Sequence, residues 1–360
     1  MDKKSLNNEY DVIIIGAGPA GCSVAKFLSD KYNILMIDWS KFPRDKSCGG
    51  LLVEETQDFI KDWRLPKIVF SYPKYLNMKI IDWNNDLEVD VKRKLWNVSR
   101  RDFDYWLLKA SQNGIHFFPR TKFLQFKKKK KNVEILLETN NKRKYVKTKY
   151  LIGANGAFSN VRRNLVKKPI RYYVAIQHWI RHSDIGDSAY FIYDNEVTDF
   201  YSWIIPKGDN LILGSALEKD SNIKDKMKIL KNRLKEKLNI SGNVFKKEAA
   251  ILSKPETEKD VFLGNDRVFL IGEAAGFVSS STGEGISFAL RSGYNCARAI
   301  NENSKNAFSL YKKFSENLIN EIKEKINKSD ILSVSKKRKV MFEQKGPEGK
   351  SVDYSIKIKF

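Results

Sequence analysis

Cysteine and histidine are scarce in this chain. Its 360 residues include three cysteines, Cys22, Cys48 and Cys296, and three histidines, His116, His178 and His182. No CxxC pair occurs. That argues against a zinc or iron–sulfur site and against a disulfide framework. Long apolar runs are missing as well, since nothing approaches the ~18–20 residues that span a bilayer. The apolar stretch VIIIGAGPAG near the N-terminus is broken by glycine and has no cleavage-type site behind it, unlike a signal peptide. A cytoplasmic location is the expectation. No basic motif with stacking aromatics is seen, so nucleic acid is not an expected partner.

What the sequence has in excess is positive charge, a net +23. Such a balance attracts anionic lipid, nucleic acid or acidic substrates. The lysines are spread over every segment, as the composition of a lysine-rich proteome would produce. KKKKK (127–131) lies between two strand-like stretches and reads as a solvated hairpin. Attraction to an anionic membrane, peripherally on its inner face, stays open.

With 42% hydrophobic residues the chain has ample material for one or two domains. YDVIII (10–15) and NILMID (33–38) read as buried strands, joined by GAGPAG and a stretch of helical spacing. This strand–turn–helix–strand order begins a parallel sheet with right-handed crossovers. Residues 53–63 and 100–112 read as helices, and 115–152 as short strands ending in YLIGANG. Residues 172–217 are strand-rich and resemble a separate antiparallel sheet. Residues 224–238 and 305–327 read as amphipathic helices, RVFLIG (267–272) as another buried strand, and the last twenty residues as poorly ordered. The fold class is α/β: a Rossmann-like domain (8–70, 98–168 and 260–302) interrupted by an antiparallel-sheet substrate domain (71–97 and 169–259). A helical segment (303–340) and a basic tail (341–360) follow.

GAGPAG supplies Gly16, Gly18, Pro19, Ala20 and Gly21. The first glycine allows the tight turn, the second lets a pyrophosphate approach, and the third packs helix on strand. The helix N-terminus offers free N–H groups to the phosphates. Asp38 ends the second strand, where an acid accepts hydrogen bonds from ribose hydroxyls. This unit alone does not separate NAD from FAD. The stretch IGEAAGFVSSSTGEGISFAL (271–290) does, because a flavin needs a second strand–turn–helix aimed at the same cofactor. There Glu273 can bond the ribityl hydroxyls, while Gly272, Ala274, Ala275 and Gly276 leave space. Gly283, Glu284, Gly285 and Ile286 open a helix whose positive end can face the flavin and favour its anionic reduced form.

Taken together, GAGPAG, FPRDKSCGG (42–50), SRRDFD, GANGAFSNVRR, YSWIIPKG (201–208) and GEAAGF…TGEGIS resemble, over roughly residues 10–330, the geranylgeranyl reductase family of FAD enzymes with the p-hydroxybenzoate hydroxylase fold. The Gly-Glu-Ala-Ala-Gly form of the late motif resembles that of bacterial CbrA-type proteins. The resemblance implies that Arg100, and the strand-and-turn motif holding Asn155 and Gly156, touch FAD. The family's Asp is Asn155 here, which keeps the oxygen acceptor and loses the charge. It also implies that Cys48, Gly49 and Gly50 lie close to the flavin. Cys48 then either lines the substrate channel and gives a proton, or is a small packing residue. Tyr201 and Trp203 alternate on one strand face, as walls of an apolar pocket or as ordinary sheet core. Ile205 replaces the family's Phe and brings the segment near that of flavin halogenases.

The resemblance implies hydride transfer from reduced flavin to a C=C bond of an apolar, lipid-like, isoprenoid substrate, with a proton from water, Tyr201 or Cys48. The same fold also serves flavin monooxygenases and halogenases, and a non-catalytic flavin-binding protein is a third reading. Only one GxGxxG unit is present. The electron donor is therefore NADPH or NADH bound transiently, or a reduced ferredoxin-type protein.

Overall fold

The computed structural model describes residues 6–112, 114–182 and 186–343. YDVIII lies in the strand Glu9–Ile15, where Val12, Ile13 and Ile14 are fully buried, as a strand covered on both faces requires. It pairs in parallel with Ile34–Ile37 on one side and Lys142–Gly153 on the other. Ile115–Phe118 and Val268–Leu270 extend the parallel run outward. The hairpin Thr121–Lys128/Val133–Thr139 attaches to Lys142–Gly153 in antiparallel fashion. The lysine run sits at its tip, where Lys129 N–H donates to the Asn132 carbonyl.

The helix Pro19–Phe27 follows the first strand, with proline in its first turn, where a missing N–H costs nothing. It packs on the late helix Ile286–Glu302 at a glycine. A Cβ on Gly293 would lie 2.7 Å from the Ala20 carbonyl oxygen. Ser23 Oγ donates to the Leu290 carbonyl at 2.6 Å across the same contact.

The second sheet runs Val244–Ser253, Tyr172–Arg181, Asn210–Glu218, Ser202–Lys207, Ser188–Tyr193, Phe70–Asp82, Leu87–Val98 and Leu51–Leu52. Its pairs are antiparallel except one: Ser188–Tyr193 runs parallel to Phe70–Asp82. This departs from the expected antiparallel sheet, and the reason is topological. Two separate excursions of the chain build the sheet, and the parallel pair is the seam where they meet. One face is covered by the helix Ile223–Leu238 through Met227, Leu230 and Leu234.

The other face meets the C-terminal helices. The helix expected over 305–327 is two, Ala307–Phe314 and Glu316–Leu332, broken at Ser315. The final helix, Ser335–Glu343, is pinned by Arg338, whose guanidinium is 1% exposed. It donates to both oxygens of Asp82, at 2.6 and 3.0 Å, and to the Leu332 carbonyl. Of the stretch read as a basic tail, 341–343 closes this helix, and 344–360 lie outside the described residues.

Candidate cofactor and substrate site

A cavity of about 910 Å³ runs between the two sheets. Its first wall is the glycine turn. Gly16 has φ +109°, and a Cβ there would lie 2.5 Å from the Ala154 carbonyl oxygen, so only glycine fits. A Cβ on Gly21 would lie 1.9 Å from the Gly16 carbonyl oxygen. Gly18 faces the cavity, its nearest neighbour being Arg44. As N-cap it brings no side chain to the helix end, which leaves N–H groups free for an anion. Pro19 and Ala20 continue this wall. Asp38 stands at its far end, with Oδ2 accepting from Ala17 N–H at 2.9 Å and Oδ1 from Ser40 N–H at 2.8 Å.

Next along the wall is a cationic cluster. Arg100 Nε donates to Asp104 Oδ1 at 2.9 Å, and Arg44 reaches Asp104 Oδ2 at 3.0 Å. Two guanidiniums share one fully buried carboxylate, leaving surplus positive charge between Gly18 and Cys48. Arg44 and Asp104 are absent from the sequence-derived site. The Arg100–Asp104 spacing of one helical turn is the only local sign of the pair.

The Cys48–Gly50 loop lies flat on the second sheet. A Cβ on Gly49 would meet Ile205 Cδ1 at 2.6 Å, and one on Gly50 (φ +65°) would meet the Val98 carbonyl oxygen at 2.2 Å. Gly50 N–H points to Cys48 Sγ at 3.4 Å. Burial pushes the Cys48 thiol up, but Arg100, the Gly50 N–H and Lys46 together bring it below the ordinary thiol value. Beneath the loop, Lys207 donates to the Val98 carbonyl at 2.9 Å and to Asn97 Oδ1. Burial brings its amine down to about 7, with Cys48 opposing and Arg100 assisting.

Asn155 and Gly156 line the cavity beside Glu273. Asn155 Nδ2 donates to Asn160 Oδ1 at 2.6 Å, and its Oδ1 accepts from Ser159 Oγ at 2.6 Å. An aspartate at 155 would have no donor for Asn160, a local reason for the amide. Glu273 Oε1 accepts from Ser253 N–H at 2.9 Å, tying the late motif to the second sheet.

Five residues expected at the cofactor do not line the cavity: Gly21, Gly272, Ala274, Ala275 and Gly276. Their smallness serves packing. A Cβ on Gly272 (φ +56°) would approach Ala20 Cβ at 2.9 Å, and one on Gly276 (φ +92°) the Asp260 carbonyl oxygen at 2.6 Å. Ala274 offers its carbonyl to Arg162 at 3.2 Å. Gly283, Gly285 and Ile286 do face the cavity, at the entry of the late helix.

Tyr201 and Trp203 both line the cavity. Tyr201 stacks on Phe200 at 4.3 Å between centroids, and its hydroxyl donates to the Thr282 carbonyl at 2.5 Å. Burial raises the phenol well above its usual value. The Trp203 indole occupies the space a side chain at Gly214 would fill. Beyond them the walls are apolar, with Met78, Ile80, Leu95, Phe191, Leu332 and Phe342. Charged groups that the sequence reading did not place here, Glu55, Arg93 and Lys328, complete that end.

The glycine cradle, the uncapped helix end, the surplus cation and the volume of the cavity fit an FAD. The sequence matches the FAD binding domain family over residues 9–180. It is 33% identical over 296 residues to Protein CbrA of Escherichia coli O9:H4 (strain HS), covering 79% of each chain. In structure it is similar to a geranylgeranyl bacteriochlorophyll reductase-like protein from Thermoplasma acidophilum: TM-score 0.82, 18% identity, 98% of this chain and 94% of that one. It is also similar to p-nitrophenol 4-monooxygenase PnpA from Pseudomonas putida, with TM-score 0.74, 13% identity and 96% of each chain. At such identities the structural likenesses establish the fold, that of the p-hydroxybenzoate hydroxylase-like flavoproteins.

Proposed function

This chain belongs to the family of the CbrA proteins, within the FAD-dependent oxidoreductases and monooxygenases, and we propose that it reduces a C=C bond of an apolar, isoprenoid substrate, as its resemblance to the geranylgeranyl reductases implies. FAD, when bound, would supply the hydride. The carrying observation is the continuity of the cavity, which passes from the Gly18–Arg100 wall into an apolar compartment under Tyr201 and Trp203. In that compartment a long hydrocarbon is held by burial rather than by hydrogen bonds. Cys48, Gly49 and Gly50 bring the backbone close to where the ring would lie, and the helix entry at Gly283–Ile286 favours negative charge on it. The apolar walls position the alkene. Electrons come from NADPH, NADH or a reduced ferredoxin-type protein, and comparing the rates at which each reduces the bound flavin identifies which.

The substrate class makes a membrane the natural partner. Among the described residues no helix is long and apolar enough to cross one. Ile68 and Tyr72 are each 78% exposed, and Lys67 and Lys74 stand exposed beside them. This basic, apolar patch suits peripheral contact with anionic lipid.

The test is to reduce the holoprotein with dithionite under nitrogen and add mixed polyprenyl lipids. Flavin reoxidation with lipids gaining pairs of hydrogens supports the reductase. Flavin that stays reduced until air enters, then hydroxylates or halogenates an added substrate, supports the oxygen-dependent readings instead. Flavin that is bound yet shows no turnover with any added compound and no reduction by NADPH or ferredoxin leaves a binding protein.

A further inference from the structure

Reduction of an alkene needs a proton as well as a hydride. Neither side chain expected to give it is well placed to do so. Arg100 favours the thiolate of Cys48, the form with no proton to give. The Tyr201 hydroxyl is committed to the Thr282 carbonyl, and burial makes it a weaker acid than a free phenol.

The same wall carries another acid. Glu284 stands between Gly283 and Gly285 at the entry of the helix Ile286–Glu302 and lines the cavity. Thr282, two residues earlier, receives Tyr201, so the loop bearing Glu284 and the aromatic wall are one surface. Ser287 N–H donates to Glu284 Oε1 at 2.7 Å, and Ser287 Oγ donates to Oε2 at 3.0 Å. Each oxygen accepts one of these bonds and keeps another lone pair on which a proton can sit.

The charges facing this loop come from several elements. They are Glu55 on the helix Glu54–Ile60, Arg93 on Leu87–Val98, Arg291 on its own helix, and Lys325 and Lys328 on Glu316–Leu332. Arg291 is occupied by both oxygens of Glu321, at 2.8 and 2.7 Å. Burial raises the Glu284 carboxyl above the ordinary range against the pull of the Ser287 bonds and Arg291, and Glu55 adds to the rise. Burial brings Lys325 down to about 8, opposed by Glu55 and Glu284.

Resting on the reductase reading, we propose that Glu284 is the general acid of this site. As hydride lost by the reduced flavin forms a C–H bond at one alkene carbon, the Glu284 O–H bond breaks and its proton forms the second C–H bond. The flavin is oxidised by two electrons, the alkene is reduced, and Glu284 is left as carboxylate. Lys325 favours that anion until water returns the proton.

E284Q keeps an oxygen that can accept from Ser287 N–H, so the helix entry survives. In the holoprotein, dithionite-reduced flavin of E284Q is expected to reoxidise ~100-fold or more slowly with the polyprenyl lipid that the wild type reduces. E284D should recover part of the loss. The wild-type rate should fall as pH rises and Glu284 loses its proton, and this limb should vanish in E284Q. A readout independent of turnover is the infrared carbonyl band of a protonated carboxyl, which in the wild type should persist to higher pH than that of an ordinary glutamic acid and should be absent from E284Q. Lipid reduction by E284Q at the wild-type rate, or no such band in the wild type, overturns the role of Glu284 alone. A wild type that reduces no polyprenyl lipid overturns the reductase reading and this role with it.

Discussion

The two sheets solve opposite problems. The first brings backbone close to a charged cofactor, and its decisive residues are those with little or no side chain. Gly16, Gly18 and Gly21 work through what they lack. The second walls an apolar compartment, and its decisive residues are large: Phe191, Tyr201 and Trp203, joined by Leu332 and Phe342 from the C-terminal helices. Errors in the first sheet are therefore steric and local. Errors in the second are losses of volume or of long-range ties.

The comparison can be broken from either side. The largest effect is expected from Arg338→Ala, which strands Asp82 as a buried, unpaired charge. Breaking such a pair costs about 3–5 kcal/mol. The melting temperature should fall and the last helix should become open to protease, while the flavin stays bound. Retention of the wild-type melting temperature would show that the second sheet does not need this tie. Next comes Gly21→Ala, which forces a carbon against the Gly16 carbonyl. Overpacking of this kind costs about 1–3 kcal/mol, and flavin content read by absorbance should drop. Gly18→Ala, with only Arg44 at 3.6 Å, should keep its fold. Equal losses in both variants would undo the assignment of Gly21 to packing and Gly18 to the cavity wall.

A smaller effect sharpens the boundary between the halves. Arg100 lies on the first and stabilises the thiolate of Cys48, which rests on the second. Alkylation of Cys48 should begin at lower pH than for an ordinary thiol, and Arg100→Gln should move the onset upward. An unchanged onset would leave Arg100 as a partner of Asp104 alone. The smallest effect concerns the exposed surface at the start of the strand Phe70–Asp82. Anionic vesicles should retain the protein more than neutral ones, with each lysine near the surface contributing about 1 kcal/mol. Lys74→Glu should weaken retention, and indifference to vesicle charge would remove the membrane from the account.

The same contrast explains what could be read in the sequence. GAGPAG, Asp38 and the late glycine motif are legible because close backbone approach leaves a local mark. Arg44, Glu55, Arg93 and Lys328 leave none, since only tertiary packing brings them to one cavity. Asp82 and Arg338 are 256 positions apart and meet through a seam no spacing rule describes. Small residues mislead in one respect. Gly272, Ala274 and Gly276 carry the signature of a cofactor turn, yet they serve contacts between protein segments. The break at Ser315 was invisible because the apolar pattern runs through it.

The position of the strand Glu9–Ile15 has a consequence for how the molecule comes into being. It leaves the ribosome before the strands on either side of it, yet it belongs in the middle of its sheet. One neighbour, Lys142–Gly153, emerges far later, and Gly293, on which the helix Pro19–Phe27 closes, later still. The seam between Ser188–Tyr193 and Phe70–Asp82 delays the other sheet in the same way. Contacts this distant in sequence slow folding and leave apolar surface uncovered while the chain grows. Synthesis must pass Lys142–Gly153 before the first half can settle and Ser188–Tyr193 before the second, so a chain terminated ahead of those strands would emerge as substrate for chaperone or protease rather than as a smaller flavoprotein.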